Sequence, residues 1–372
     1  MIIAVNTKTT CKDELNEKDI FIFETFSRII KRHPEHTFVL ITEKKQNVLF
    51  SDLSNVIMVV TGPLKKNATQ WYIWYNIQIP RILKKYKANI LISYGTISSI
   101  RTKIPQCMIV PGLTFVNQPS FFIKSHLLFY KTFVPRSLKK AKAIITFSQF
   151  SRTEIINQYK IDSHKIAVVY KGVSQNFGQI DNEERENVKA KYTDGNEYFI
   201  YTGEIGAGKN LLNLLKAFSA FKKRQQSNMH LLISGNTPSK TGAITEALRL
   251  FRFKENVQLL ENEPIEEFAK VTAAAYAMVY PSCYESFATQ PLQAMISGVP
   301  VIISSTGVMT EVCAGAALYA DPENFKEIAI QMMTLFKDEN LRRAMIEKGK
   351  IQAKKYDWNI TADLLWELIE KS

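Results

Sequence analysis

The chain has 372 residues, 46% of them hydrophobic, and a formal net charge of +13. That length exceeds one ordinary hydrophobic core, so two domains are expected. The four cysteines, Cys11, Cys107, Cys283 and Cys313, form no CxxC pair, which suits a reducing cytoplasm and argues against a disulfide frame or a zinc site. Met1 to Asn6 reads as a first strand, not a signal peptide. No apolar run approaches the roughly 20 residues of a membrane span.

The predicted elements alternate from the start. In residues 1–172, strands are predicted at Ile2–Asn6, Phe38–Thr42, Ile57–Thr61, Ile90–Ser93, Met108–Val110, Ala143–Ser148 and Ala167–Tyr170. Helical patterns lie between them near 17–32, 69–87, 121–141 and 149–160. Short apolar strands separated by helices predict a parallel sheet covered on both faces. A polar segment, 175–196, carries Asp181-Asn182-Glu183-Glu184-Arg185-Glu186 and reads as a linker. The alternation then resumes: strand Tyr198–Thr202, helix 210–225, strand His230–Ser234, helix 241–252, strand Val257–Leu260, helix 264–274, strand Ala277–Tyr280, helix 289–297, strands Val299–Ser304 and Ala317–Tyr319, then helices to the end. The reading is α/β, with two tandem Rossmann-like doubly wound domains at 1–174 and 197–357, and a final helix at about 358–372 that packs back on the first. A ligand crevice is expected at the carboxyl ends of the strands, between the domains.

Charge divides the chain more sharply than composition does. Residues 1–172 carry 26 Lys/Arg against 10 Asp/Glu, whereas residues 173–372 carry 22 against 25. Between Asp52 and Glu154 there are 15 Lys/Arg and no acidic residue. A positive half favours an anionic partner, whether an acidic lipid surface, a phosphorylated acceptor or nucleic acid, unless the lysines merely solvate helix faces. The segment from Phe121 to Lys140 reads as a basic amphipathic helix, with Phe122, Phe129 and Phe133 on one side and Lys124, Lys131, Arg136, Lys139 and Lys140 elsewhere. Such a helix either lies in a membrane interface or packs its aromatic stripe into a core. Nucleic acid is not expected as a partner, since no recognition module is spelled out.

Two stretches of the second half carry candidate chemistry. Gly203-Glu204-Ile205-Gly206-Ala207-Gly208-Lys209-Asn210 follows a strand and opens a helix. It nearly spells a nucleotide-triphosphate loop, but Asn210 replaces the hydroxyl that would hold magnesium, and no strand ending in a metal-binding Asp follows. The second stretch, Tyr280-Pro281-Ser282-Cys283-Tyr284-Glu285-Ser286-Phe287-Ala288-Thr289-Gln290-Pro291-Leu292-Gln293-Ala294-Met295, runs from a strand through a loop of small residues into a helix. Helix N-termini present amide groups to anions. Capping of the helix is the competing role for Ser286 and Thr289.

This second stretch resembles the donor-binding signature of family 4 nucleotide-sugar glycosyltransferases of the GT-B fold, roughly Pro-Ser-x-x-Glu-Gly-Phe-Gly-x-x-x-x-Glu-Ala-x-x-x-Gly-x-Pro-Val-Ile. Pro281, Ser282, Glu285, Phe287, Ala294, Gly298, Pro300, Val301 and Ile302 match in register. Ser286 and Ala288 stand for glycines, and Gln293 stands for the second glutamate. The segments 71–93, 141–151 and 165–173 are similar to first-domain elements of the same family.

The resemblance implies a retaining transfer of a hexose from a UDP- or GDP-sugar to a glycan or lipid-linked acceptor, without a metal, in cell-surface polysaccharide assembly. Lys209 would neutralise the diphosphate, with Glu204 where an arginine usually assists. Glu285 would lie by the sugar and Gln293 by the ribose. Gly203, Asn210, Ser286, Phe287, Ala288 and Thr289 would complete the donor site. On the acceptor side, Pro111 and Gly112 stand where the family commonly carries His-Asp; His126, in a segment predicted as helix, either approaches the cleft or is a satisfied packing histidine. The protein would be cytoplasmic and peripheral on the inner face of the membrane. The competing expectation is a catalytically silent member of the fold that binds a glycan or protein partner, prompted by Pro111, Gly112, Glu204 and Gln293.

Overall fold

The computed structural model describes residues 1–7, 17–42, 50, 53–62, 67–235 and 242–372. Cys11 and the first residue of the helix predicted at 241–252 lie outside the described residues. The chain forms two compact units, one of Met1–Gly172 with Asp357–Ser372 and one of Val173–Tyr356.

The first unit is a seven-stranded parallel sheet flanked by helices. Its strands are β1 (Ile2–Asn6), β2 (Thr37–Thr42), β3 (Val56–Val60), β4 (Ile90–Tyr94), β5 (Gln106–Ile109), β6 (Ala143–Thr146) and β7 (Ile166–Val168), in the order β3-β2-β1-β4-β5-β6-β7. The helices are α1 (Glu17–Arg32), α2 (Ala68–Ile73), α3 (Ile79–Lys85), α4 (Thr114–Asn117), α5 (Lys124–Lys140) and α6 (Gln149–Tyr159). β6 stops before Ser148 because that hydroxyl caps α6, accepting from the Ser151 amide at 3.0 Å.

The helix predicted over 69–87 is interrupted. Trp74–Gln78 forms a π turn, and the Ile79 amide donates to the Trp74 carbonyl five residues back. Pro80 follows with no amide to continue the α ladder. The wider turn keeps Trp74 and Asn76 buried, and Asn76 Oδ1 accepts from the Ile100 amide at 3.0 Å.

The aromatic stripe of α5 is core. Phe129 is buried, its ring lies 4.5 Å from Phe133 and 5.5 Å from Trp71, and Phe133 meets Tyr72 at 5.7 Å. Ile123 and Leu128 point outward, 60% and 68% exposed, beside exposed Lys124 and Lys131.

The C-terminal helix, Trp358–Glu370, belongs to this first unit and packs on α1. Trp366 stacks on His33 at 3.8 Å, and Trp358 meets Phe21 edge-on at 5.9 Å. Thr361 Oγ1 donates to the Tyr170 carbonyl at 2.8 Å. The approach is close enough that a Cβ on Gly172 would sit 2.4 Å from the Trp358 nitrogen, so no larger residue fits.

The second unit is a six-stranded parallel sheet. Its strands are β8 (Tyr198–Thr202), β9 (His230–Ser234), β10 (Val257–Leu260), β11 (Ala277–Tyr280), β12 (Val301–Ser304) and β13 (Leu318–Ala320), in the order β10-β9-β8-β11-β12-β13. Its helices are α7 (Asn182–Thr193), α8 (Leu211–Gln225), α9 (Gly242–Arg249), α10 (Ile265–Ala273), α11 (Thr289–Ile296), α12 (Val308–Cys313), α13 (Phe325–Lys337) and α14 (Glu339–Ala353). The segment read as a linker therefore contains α7. Asp181 caps it, accepting from the Glu184 amide at 2.8 Å, while Val188 is buried and Lys191 pairs with Glu267 of α10 at 2.7 Å. Glu183 and Glu186 are on its solvent face, whereas Lys189 is buried and paired with Glu186 and Glu197.

Strand order reverses between β8 and β11: the chain moves outward through β9 and β10 on one side and through β12 and β13 on the other. The loops leaving the carboxyl ends of β8 and β11 are thereby neighbours at a topological switch point, where open α/β sheets bind ligands.

Candidate functional site

The loop after β8 opens with Gly203, whose amide donates to the Ser234 carbonyl at 2.9 Å. A Cβ on Gly235 would sit 1.7 Å from the Gly203 carbonyl oxygen, so two loops approach at backbone contact there. The chain then makes a short 3-10 turn, Ala207–Lys209, and reverses at Asn210, which adopts a left-handed conformation with φ of 61°. The Asn210 side chain holds that reversal in place, Nδ2 donating to the Pro281 carbonyl at 3.0 Å and to that of Pro322 at 2.6 Å. An asparagine tolerates the left-handed region and supplies the donor, and this clasp ties the two loops together.

The clasp brings Lys209 and Glu285 into contact across 76 residues of sequence. Lys209 Nζ lies 2.5 Å from Glu285 Oε1, with side chains 21% and 13% exposed. Two further donors reach the same oxygen, the Tyr280 hydroxyl at 2.8 Å and the Ser282 hydroxyl at 2.8 Å. Tyr280 is fully buried and its ring stacks on Tyr201 at 5.3 Å with an interplanar angle of 5°. The Tyr201 hydroxyl donates to the Glu204 carbonyl at 3.0 Å, and burial, with the carboxylates of Glu285 and Glu204, pushes that phenol well above its ordinary range. Glu204 itself is exposed.

Beyond Glu285, Phe287 is buried with its ring 5.8 Å from Tyr356, and Ala288 is fully buried. Ser286 is half-buried in the same loop. Helix α11 begins at Thr289 with Ala288 at its N-cap and no side-chain cap. The capping role for Ser286 and Thr289 is therefore not what the structure displays, and the Thr289 hydroxyl oxygen is buried with no hydrogen-bond partner among the described residues. An uncapped helix start leaves first-turn amides and the positive end of the helix dipole for an anion. Gln293 follows one turn into α11, half-buried.

The donor-side candidates thus converge at one end of the second sheet. The acceptor-side candidates belong to the first unit. Pro111 and Gly112 lie in the loop between β5 and α4, where the Pro111 carbonyl accepts from Ser151 Oγ at 3.4 Å. The His126 ring packs on Trp71 at 4.5 Å, within the aromatic cluster that seats α5. Tyr201, Tyr280 and Ser282 were given no role by sequence reasoning. The available signal was a tyrosine near the end of each of two strands, but only strand order reveals that β8 and β11 are adjacent. Among the described residues, no group of three or more His, Cys, Asp or Glu is placed to hold a metal, and no helix is long and apolar enough to cross a membrane.

Comparison with known proteins agrees with this architecture. Residues 182–352 match the family "Glycosyl transferases group 1", and residues 30–177 match "Glycosyltransferase Family 4". The chain is similar to the O-antigen chain mannosyltransferase B of Escherichia coli, 28% identical over 64% of this chain and 63% of that protein. It is also 28% identical to the O-antigen chain mannosyltransferase RfbU of Salmonella typhimurium, over 73% of this chain and 72% of the relative. The match thus spans less than two thirds of the Escherichia coli relative's length. Among solved structures, a sucrose-phosphate synthase from Thermosynechococcus elongatus superposes with a TM-score of 0.81 at 15% identity, covering 100% of this chain and 98% of that one. WaaG, a glycosyltransferase involved in lipopolysaccharide biosynthesis, gives 0.75 at 15% identity, covering 98% and 99%. Two parallel sheets of seven and six strands, each flanked by helices, are the GT-B architecture. With both units matched by their respective families, the chain belongs to the group 1, family 4 glycosyltransferases.

Proposed function

We propose that the protein is a retaining glycosyltransferase that moves a hexose from a UDP- or GDP-linked donor to a glycan or lipid-linked acceptor in the assembly of a surface polysaccharide. The names of the O-antigen mannosyltransferases among its relatives favour mannose as that hexose. The observation that carries the reading is the pairing of Lys209 with Glu285 at the switch point, beside the uncapped start of α11.

In this mechanism the donor diphosphate lies at the α11 N-terminus and draws Lys209 away from Glu285. As the sugar–oxygen bond breaks, negative charge grows on the departing diphosphate, and the lysine and helix amides stabilise it in place. The acceptor hydroxyl attacks from the same face of the sugar and passes its proton to the leaving phosphate oxygen. No protein base is then required, which accommodates Pro111 and Gly112 in place of His-Asp. Glu285 engages a hydroxyl of the sugar, and Gln293 accepts from the ribose. Metal is not required in this scheme, because the lysine and the helix terminus supply the positive charge.

The outward face of α5, with Ile123, Leu128, Lys124 and Lys131, is read as the contact with an anionic membrane surface. This would hold the protein at the inner face of the membrane beside a lipid-linked acceptor.

The test is release of UDP or GDP from matched hexose donors by the purified protein and by its Lys209→Ala variant. The expected result is turnover in the wild type that falls by about a hundredfold or more in the variant. Retained turnover in Lys209→Ala contradicts the mechanism. A silent, partner-binding protein is the second reading, favoured by Pro111, Gly112, Glu204 and Gln293, and it predicts no turnover in either.

A further inference from the structure

Three donors share one oxygen of Glu285, and they differ in kind. Lys209 is a flexible cation on a loop, 21% exposed, whereas Tyr280 and Ser282 are buried groups fixed by their surroundings. The Tyr280 ring is held flat against Tyr201, and its hydroxyl also lies 3.4 Å from Gln290 Oε1. The Ser282 carbonyl accepts from the Ser304 hydroxyl at the end of β12, so the peptide that carries Ser282 is itself anchored. Glu285 Oε2 takes no hydrogen bond from a described residue.

A carboxylate held only by Lys209 would lose its anchor when that lysine turned to a diphosphate, and would rotate about its side-chain bonds. Two short hydrogen bonds from buried hydroxyls remove that freedom. We propose that Tyr280 and Ser282 are positioning residues for Glu285: they keep Oε1 seated as Lys209 passes to the donor, leaving Oε2 to accept from a hydroxyl of the donor hexose. The pair thereby sets selectivity for the sugar and not for the nucleotide. This inference rests on the donor-site reading above.

The experiment compares wild type, Tyr280→Phe and Ser282→Ala in two measurements: the Kd for UDP and GDP by calorimetry, and KM and kcat for the matched hexose donor and its monodeoxy analogues. Tyr280→Phe keeps the ring stack, and Ser282→Ala removes a single oxygen, so each tests the proposal without the other. The expected outcome in each variant is nucleotide affinity within about twofold of wild type and a KM for the intact donor raised about tenfold. One monodeoxy analogue, lacking the hydroxyl that meets Glu285, should show no such rise. An unchanged KM for the intact donor in both variants overturns the proposal. So does a nucleotide Kd that rises in step with KM, since that would mark general damage to the fold. Failure of the wild type to bind either nucleotide overturns the donor reading and the proposal with it, whereas nucleotide binding with unaltered sugar discrimination overturns the proposal alone.

Discussion

Glutamate and glutamine divide the work along one short stretch of this chain. At 285 the carboxylate is kept and pairs with Lys209, and in the proposed mechanism its charge holds that lysine until a donor arrives. At 293 an amide stands where the family carries a second glutamate, half-buried one turn into α11. An amide oxygen accepts a hydrogen bond but lacks the charge that roughly doubles its strength. Gln293→Glu is therefore expected to tighten nucleoside diphosphate binding by about five- to tenfold in calorimetry. Equal or weaker binding in that variant would remove the ribose role assigned to position 293. The identities of these residues were legible in the sequence, because the loop and helix spell a recognisable pattern. Their partners were less so: Tyr280 and Ser282 come from the same short segment as Glu285, but Lys209 reaches that oxygen only because β8 lies beside β11, and strand order is not written in local spacing.

At the scale of elements, strands were the most readable feature. A parallel strand buried on both faces must be a short apolar run, as β1, β8, β11 and β12 are, whereas the edge strands β3 and β10 keep exposed residues. Helix interruptions and charged helices were less readable. The π turn at Trp74–Gln78 depends on Pro80 and on a buried asparagine bonded to residue 100, neither of which alters the apolar period. Helix α7 was hidden by its charge, since its burial rests on little more than Val188 and Thr193 while ion pairs to α10 cover the rest. Helix α5 resolved the other way: its aromatic stripe is core, and what it exposes is Ile123 and Leu128 among lysines. If that face meets a membrane, the protein should sediment with vesicles of anionic lipid at low salt and be released at about 0.5 M salt, where the Debye length is a few ångströms. Lys124→Glu with Lys131→Glu should abolish the effect. Equal sedimentation with neutral and anionic vesicles would contradict it.

Taken whole, the molecule separates its tasks by unit. The second unit, near electrical balance, brings a lysine–glutamate pair, an uncapped helix start and a clasp of asparagine hydrogen bonds together at its switch point, where the proposed mechanism seats the donor diphosphate. Residues 1–172 carry an excess of 16 positive charges, to which the proposal assigns the anionic partner. Family membership and fold follow from features spread along the whole chain, whereas the proposed activity is assigned to a handful of side chains in the second unit. The most direct test of that central claim is calorimetric titration of the purified protein and its Lys209→Ala variant with UDP and with GDP, without added metal. Micromolar binding of one nucleotide by the wild type, weakened at least about tenfold in the variant, is the expected result. Binding of neither nucleotide, or equal binding by both proteins, would contradict it.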